Sequence, residues 1–138
     1  MTRVNIIPVC ELSDQWLLAE YRELPRCIKQ NINTDNAPQY YCLGTGHMKR
    51  ARQHILFLLD RYREICDEMQ YRGFTINYPY QELLAWTYNN VNKTLMNNYV
   101  VDERDVDINR LRLIEKYQQK PDFYKWTGRD KPKYCIIA

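Results

Sequence analysis

The stretch YRELPR, residues 21–26, sets one carboxylate, Glu23, between two arginines, Arg22 and Arg26, that stand four apart on one helical face. Like charges at that spacing cost an isolated helix roughly 0.2–0.5 kcal/mol. Projected as a helix, Gln15, Arg22, Arg26 and Lys29 share a narrow sector, opposite an apolar stripe of Leu17, Tyr21, Leu24 and Ile28. A second cationic row, Arg112, Lys116 and Lys120, repeats at i, i+4, i+8 and turns away from Leu111 and Ile114. Guanidinium groups fork onto phosphate oxygens, and rings such as Phe123, Tyr124 and Trp126 stack on exposed bases. A solvated amphipathic helix would account for one such stripe. Two stripes and a basic aromatic tail favour a polyanion. Binding alone has no need of Glu23: a carboxylate there weakens phosphate contact unless it does chemistry or simply pairs with Arg26, a bond worth a few tenths of a kcal/mol.

Those rows have to be held by a fold, and composition limits which. The 138 residues are 45% hydrophobic with a formal net charge of +3, as expected of a single domain, 1–138, that buries about two thirds of its unfolded surface. The longest aliphatic run, ILFLL at 55–59, is far too short to span a bilayer, and no secretory signal opens the chain. Cys10, Cys27, Cys42, Cys66 and Cys135 are odd in number and scattered, with no CxxC pair and only two histidines in the chain. Neither a disulfide framework nor a metal site is expected, and the protein reads as cytoplasmic, with no membrane partner and no cofactor. Charge is uneven along the chain. From Arg110 to Lys133 there are eight basic and three acidic residues, whereas Glu82 to Asp107 holds five acidic and two basic, and such asymmetry suits nucleic acid.

The expected class is all-α: a compact domain of three main helices with an irregular, basic, aromatic C-terminal tail. The first helix should run from Asp14 to Lys29 with Ser13 as its N-cap. A polar loop, KQNINTDNAPQ, follows it. The second should start near Gly46, capped by Thr45, and carry Ile55, Leu58, Leu59, Tyr62, Ile65, Cys66 and Met69 inward before stopping at Gly73. Residues 81–99 read as short irregular helix and loop, because QELLAW favours helix whereas NNVNKTLMNN is poor in helix formers. The third should span Ile108 to Gln119, preceded by Asp105 and Asp107 and halted before Pro121.

Taken together, MTRVN, ELSDQ, AEYRELPR, LGTGH, RGF and RLIEK followed by PDFYKW resemble the phage T4 endonuclease V family. These are virus-encoded pyrimidine-dimer DNA glycosylases with AP-lyase activity, which act in the host cell as monomers. The likeness covers nearly the whole chain, is strongest over residues 1–26 and weakest over 27–42 and 75–107. It implies that removal of Met1 exposes the α-amino group of Thr2 as the nucleophile. An α-amino group has a pKa near 7.7–8.0, against about 10.4 for lysine, so at pH 7 roughly a tenth of it is the neutral, reactive amine. With Met1 in place that nitrogen is an amide and inert. Attack on C1′ of the 5′ nucleotide of the dimer displaces the base and leaves an imine, which acidifies the 2′ hydrogen and permits β-elimination of the 3′ phosphate. Glu23 would stabilise the cationic sugar and shuttle protons.

The same resemblance, carried residue by residue, implies that Arg3, Gln15, Arg22, Arg26, Arg112 and Lys116 hold the DNA, with Tyr21, His47 and Tyr124 close to it. The expected partner is double-stranded DNA bearing UV photoproducts or abasic sites, kinked and with the adenine opposite the lesion flipped out. Phe123 departs from the family, whose tail has a tryptophan there, and the loop after the first helix is shorter. Two other readings stay open at this point: a non-catalytic helical DNA-binding module, and a helical adaptor whose basic faces are merely solvated.

Overall fold

A computed structural model describes residues 4–30 and 33–136. Among them every regular element is helical: α1 Asp14–Cys27, α2 His47–Ala51, α3 Ile55–Tyr71, α4 Tyr80–Asn90, α5 Glu103–Gln119 and α6 Lys133–Ile136, with short 3₁₀ turns at Val9–Glu11 and Lys93–Leu95. α3 lies at the centre, with α1, α4 and the first 3₁₀ turn packed on it, and α6 packs on α5. One buried apolar cluster runs from Val4 to Cys135 and takes in Leu17, Leu24, Leu58, Tyr62, Ile65, Leu83 and Leu113. No helix among the described residues is long and apolar enough to cross a membrane.

α1 begins as its sequence dictates. The Ser13 hydroxyl oxygen accepts from the Trp16 amide at 3.1 Å, and Asp14 sits at the positive end of the helix dipole. The helix ends at Cys27, two residues short of the expected Lys29. Pro25 lies in its final turn, where the proline ring withholds the amide that the Tyr21 carbonyl would otherwise receive.

The second expected helix is in fact two. α2 ends at Ala51 and α3 begins at Ile55, because Asn97 takes over the intervening backbone groups. Its carbonyl accepts the Leu56 amide at 3.2 Å, and its side-chain amide donates to the Gln53 carbonyl at 2.9 Å. Thr45 makes no cap. Gly46 precedes α2 with φ +88°, and a Cβ there would meet the Pro38 ring at 2.5 Å, so only glycine fits. The stop at Gly73 is as expected. Gly73 has φ +84°, and the Phe74 amide reaches back to the Met69 carbonyl at 2.8 Å while the Gly73 amide bonds that of Gln70, the paired closure of a Schellman end.

QELLAW is helical as expected, in a regular helix that runs on to Asn90 because Leu83 and Thr87 bury against α3; the rest of NNVNKTLMNN is loop with one 3₁₀ turn. One further expectation needs correction. α5 starts at Glu103, five residues before Ile108, because the Asp102 side chain accepts from the Asp105 amide at 2.9 Å and so acts as the N-cap. Its inward face is Asp105, Asn109, Leu113 and Tyr117, while Leu111, assigned inward from the sequence, is 60% exposed.

The aromatic tail is docked rather than loose. Asp14 accepts from the Thr127 hydroxyl at 2.6 Å and from its amide, the Asp14 amide donates to the Lys125 carbonyl at 2.7 Å, and the Trp126 indole donates to the Glu11 carbonyl at 2.9 Å. Asp14 also meets Arg72 at 3.0 Å. Arg72 and Arg129 both pair with the buried Glu68, at 2.8 and 2.9 Å. Because the Arg72 side chain is fully buried, Glu68→Ala would leave it undercompensated. A loss of about 3 kcal/mol is expected in urea unfolding, against little change for Asp60→Ala on the exposed side of α3.

Candidate active site

A groove of about 550 Å³ opens between α1 and α5. α1 contributes Gln15, Trp16, Leu18, Ala19, Glu20, Arg22 and Glu23; Leu113 and Lys116 come from α5, Phe123 and Tyr124 from the tail, and Asn5 from the N-terminal segment. The i, i+3 and i, i+4 spacing of helix α1 puts these residues on one side. Five of the residues singled out from sequence, Gln15, Arg22, Glu23, Lys116 and Tyr124, therefore meet at one surface.

The aromatic wall is stacked on itself. Tyr124 lies 4.6 Å from Trp16, which meets Trp126 edge-on at 6.0 Å. Phe123 stands across Tyr124 at 5.2 Å and is 57% exposed, free to receive a partner ring. Gln15 pins this wall: its side-chain oxygen accepts from the Lys125 amide at 3.0 Å.

Charge in the groove is divided between two carboxylates and a set of cations. Glu20 is 2% exposed and fully engaged, accepting from Arg61 Nε at 2.7 Å, from Arg61 Nη2 at 3.2 Å and from Asn5 Nδ2 at 2.9 Å. Glu23, one turn along, is partly exposed and meets the Arg26 guanidinium at 3.5 Å. That is a long surface contact worth a few tenths of a kcal/mol at most. Arg22 and Arg112 are exposed and have no carboxylate partner among the described residues. Lys116 is half-buried, and burial together with the neighbouring Arg112 charge pulls its ammonium below the ordinary lysine value.

The remaining sequence-predicted residues lie elsewhere. Thr2 and Arg3 fall outside the described residues. Arg26 is exposed at the end of α1, and Arg112 sits one turn before Lys116 on α5. Tyr21 stacks on Tyr62 at 5.9 Å, and its hydroxyl oxygen accepts the amides of Asn77 and Tyr78 at 2.8 and 2.9 Å. His47 is 5% exposed. Its Nδ1 lies 2.9 Å from the Cys42 carbonyl, which only accepts, so Nδ1 carries the proton. Direct contact between His47 and DNA would require it to leave this packing. Among the described residues no group of three or more His, Cys, Asp or Glu side chains is placed to hold a metal ion.

Sequence reasoning passed over Asn5, Glu20, Arg61 and Asn109, which support the groove from behind. A signal for two of them was there: Glu20 and Arg61 occupy inward positions of otherwise apolar stripes, Leu17–Glu20–Leu24 and Leu58–Arg61–Ile65, where a charge needs a buried partner.

These features define a small all-helical protein with a cationic, aromatic-walled groove built around a carboxylate. Residues 1–82 match the sequence profile of the family described as pyrimidine dimer DNA glycosylase. That is more than half of the chain, and the protein belongs to this family, the one to which AEYRELPR pointed. The match takes in α1, α2 and α3 with Glu20 and Glu23, while the groove's second side, from Leu113 to Tyr124, lies beyond it.

Burial also lowers the pKa of both His47 and His54 below the ordinary 6.5. Above that value both are neutral in the folded and unfolded chains. As the pH falls below it, the unfolded chain takes up protons that the folded one refuses, so stability declines. Unfolding free energy should fall as the pH drops below about 6.5, and a His47→Gln/His54→Gln protein should show a flatter slope there whatever its absolute stability. An unchanged slope would exclude the histidines as its source.

Proposed function

We propose that this chain cleaves the N-glycosidic bond of the 5′ base of cyclobutane pyrimidine dimers in double-stranded DNA through an imine formed by the Thr2 amine, and then nicks the strand by β-elimination, acting also on abasic sites. The observation that carries the reading is that Asn5, of the N-terminal segment, and Glu23, of α1, line the same groove. Thr2 is three residues upstream of Asn5, a tether of at most about 10 Å. An amine on that tether is within reach of a sugar seated beside Glu23.

In this mechanism the neutral amine attacks C1′, the C1′–N bond breaks, and the pyrimidine leaves with the bonding pair. The attached nitrogen sheds a proton, and its lone pair expels O4′, which is protonated as the sugar ring opens. The protonated imine that results draws electrons from C2′, a base removes the 2′ proton, and the 3′ C–O bond breaks to release phosphate. Glu23 balances the positive charge at C1′ and carries protons between these steps. Glu20 is already matched by Arg61 and Asn5, which leaves Glu23 as the carboxylate for chemistry. Arg22, Arg26, Arg112 and Lys116, with Arg3, bind phosphates. Tyr124 and Phe123 offer faces to an unstacked base, and Gln15 and Tyr21 brace the surfaces that do so. His47 acts from behind, through its packing on Tyr41.

The apolar cluster from Val4 to Cys135 supports a single domain. DNA as substrate and five free cysteines support work inside the cell.

The groove holds a second amine, Lys116, whose lowered pKa makes it the competing nucleophile. The readings separate in one experiment. With Met1 removed, the protein should form a borohydride-stable adduct with a dimer-containing duplex, and acetylation of the amino terminus should abolish it. Lys116→Arg should keep it. The opposite pattern would move the nucleophile to Lys116, and salt-sensitive binding with neither adduct nor nick would leave only a DNA-binding module. Glu23→Gln should retain damage binding within about threefold and lower cleavage by at least about a hundredfold. Undiminished cleavage would remove Glu23 from the mechanism.

A further inference from the structure

We infer that Glu20, Arg61, Asn5 and Asn109 are positioning residues for the nucleophile: they fix the N-terminal segment in the register at which an amine three residues upstream meets the sugar beside Glu23. This rests on the reading of the amine as nucleophile.

The network has one hydrogen-bond polarity, set by its backbone ends. The amides of Ile6 and Ile7 donate to Asn109 Oδ1 at 2.7 and 3.3 Å. Amides only donate, so the other end of the Asn109 side chain must be the NH₂ group, and it donates to Asn5 Oδ1 at 2.8 Å. That in turn points Asn5 Nδ2 at Glu20, 2.9 Å away. Glu20 receives two further bonds from Arg61, whose remaining nitrogen, Nη1, donates to the Ile7 carbonyl. The circuit closes on the segment where it began. Among the described residues, every hydrogen bond of these four side chains ends on residues 5–7 or on one another.

Three helices contribute, α1 through Glu20, α3 through Arg61 and α5 through Asn109, and all three grip the same three residues. Stability does not account for the arrangement. Taking a carboxylate and a guanidinium out of water costs so much that apolar residues of similar volume generally hold a core at least as well. The polar circuit supplies something an apolar plug would not: a fixed register, since shifting the segment by one residue would unmatch every donor and acceptor. Imine formation rewards such fixing, because reacting atoms must stand about 3–3.5 Å apart, and a misplacement of about 1 Å can cost a hundredfold in rate. Asn5, three residues from Thr2 in sequence, is thereby anchored in the groove wall.

The test uses the full chain with Met1 removed and an abasic-site duplex, which needs neither dimer recognition nor base release. Single-turnover borohydride trapping at saturating DNA is measured alongside Kd and the thermal midpoint. In the apolar exchange Glu20→Leu/Arg61→Met, and separately in Asn109→Ala, the trapping rate should fall at least about tenfold while Kd stays within about threefold. Ile65→Val, in the core away from the groove, should lower the thermal midpoint and leave the trapping rate unchanged. If the double exchange does not fold, Asn109→Ala decides alone. Trapping rates within about twofold of wild type, or a loss confined to Kd, would overturn the positioning role and leave the amine reading intact. A wild-type protein that forms no adduct would overturn both.

Discussion

Glu20 and Arg61 meet where α1 crosses α3, and the groove depends on that pair staying matched. Each side chain is almost wholly out of water, where an unpaired charge would cost several kcal/mol. Satisfying both therefore fixes more than a contact. With Glu20 turned inward, α1 cannot rotate about its own axis, so Glu23, one turn on, and the exposed Arg22 both face the groove. The apolar stripe of Leu17, Leu24 and Cys27 sets which side of α1 is inside, and the ion pair sets the angle more finely.

A second polar knot works at the other end of α1. Asp14 accepts from the tail's Thr127 and pairs with Arg72, which shares Glu68 with Arg129. This knot holds Phe123 and Tyr124 against Trp16 and so makes the groove's aromatic wall. Apolar burial alone would keep the helices together, but it is non-directional. The two charged knots give the helices their rotations and the tail its path. Among the described residues, Arg22 and Arg112 are exposed cations with no carboxylate partner, in positions that would be useful to a phosphate backbone.

The legible part of the fold was the part governed by local rules. The Ser13 cap, the α1 stripe and the Gly73 stop depend on residues within a turn or two, and their patterns survive in a single sequence. The break at residues 52–54 was not legible because Asn97, some forty residues away, makes it. The start of the helix at QELLAW was legible from propensity, but its extension to Asn90 was not, because packing on α3 carries it. Leu111 was placed inward on hydrophobicity alone, whereas Asn109 and Asp105 take the inward positions through hydrogen bonds that only tertiary structure supplies. At the groove, the charges of Arg22, Glu23 and Lys116 could be read from their spacing. Asn5 and Glu20 could not be joined from sequence, since their meeting requires the N-terminal segment to fold back across α1.

The groove's two sides are separated by some ninety residues of chain. A nascent polypeptide that has completed α1 through α4 has the central helix and most of the apolar cluster, yet it lacks Asn109 to lock the N-terminal segment, and Leu113, Lys116, Phe123 and Tyr124 to close the cleft. Synthesis therefore withholds the groove until α5 and the segment through Tyr124 have been made. A product that stops before α5 would hold most of the core without the cleft's second side.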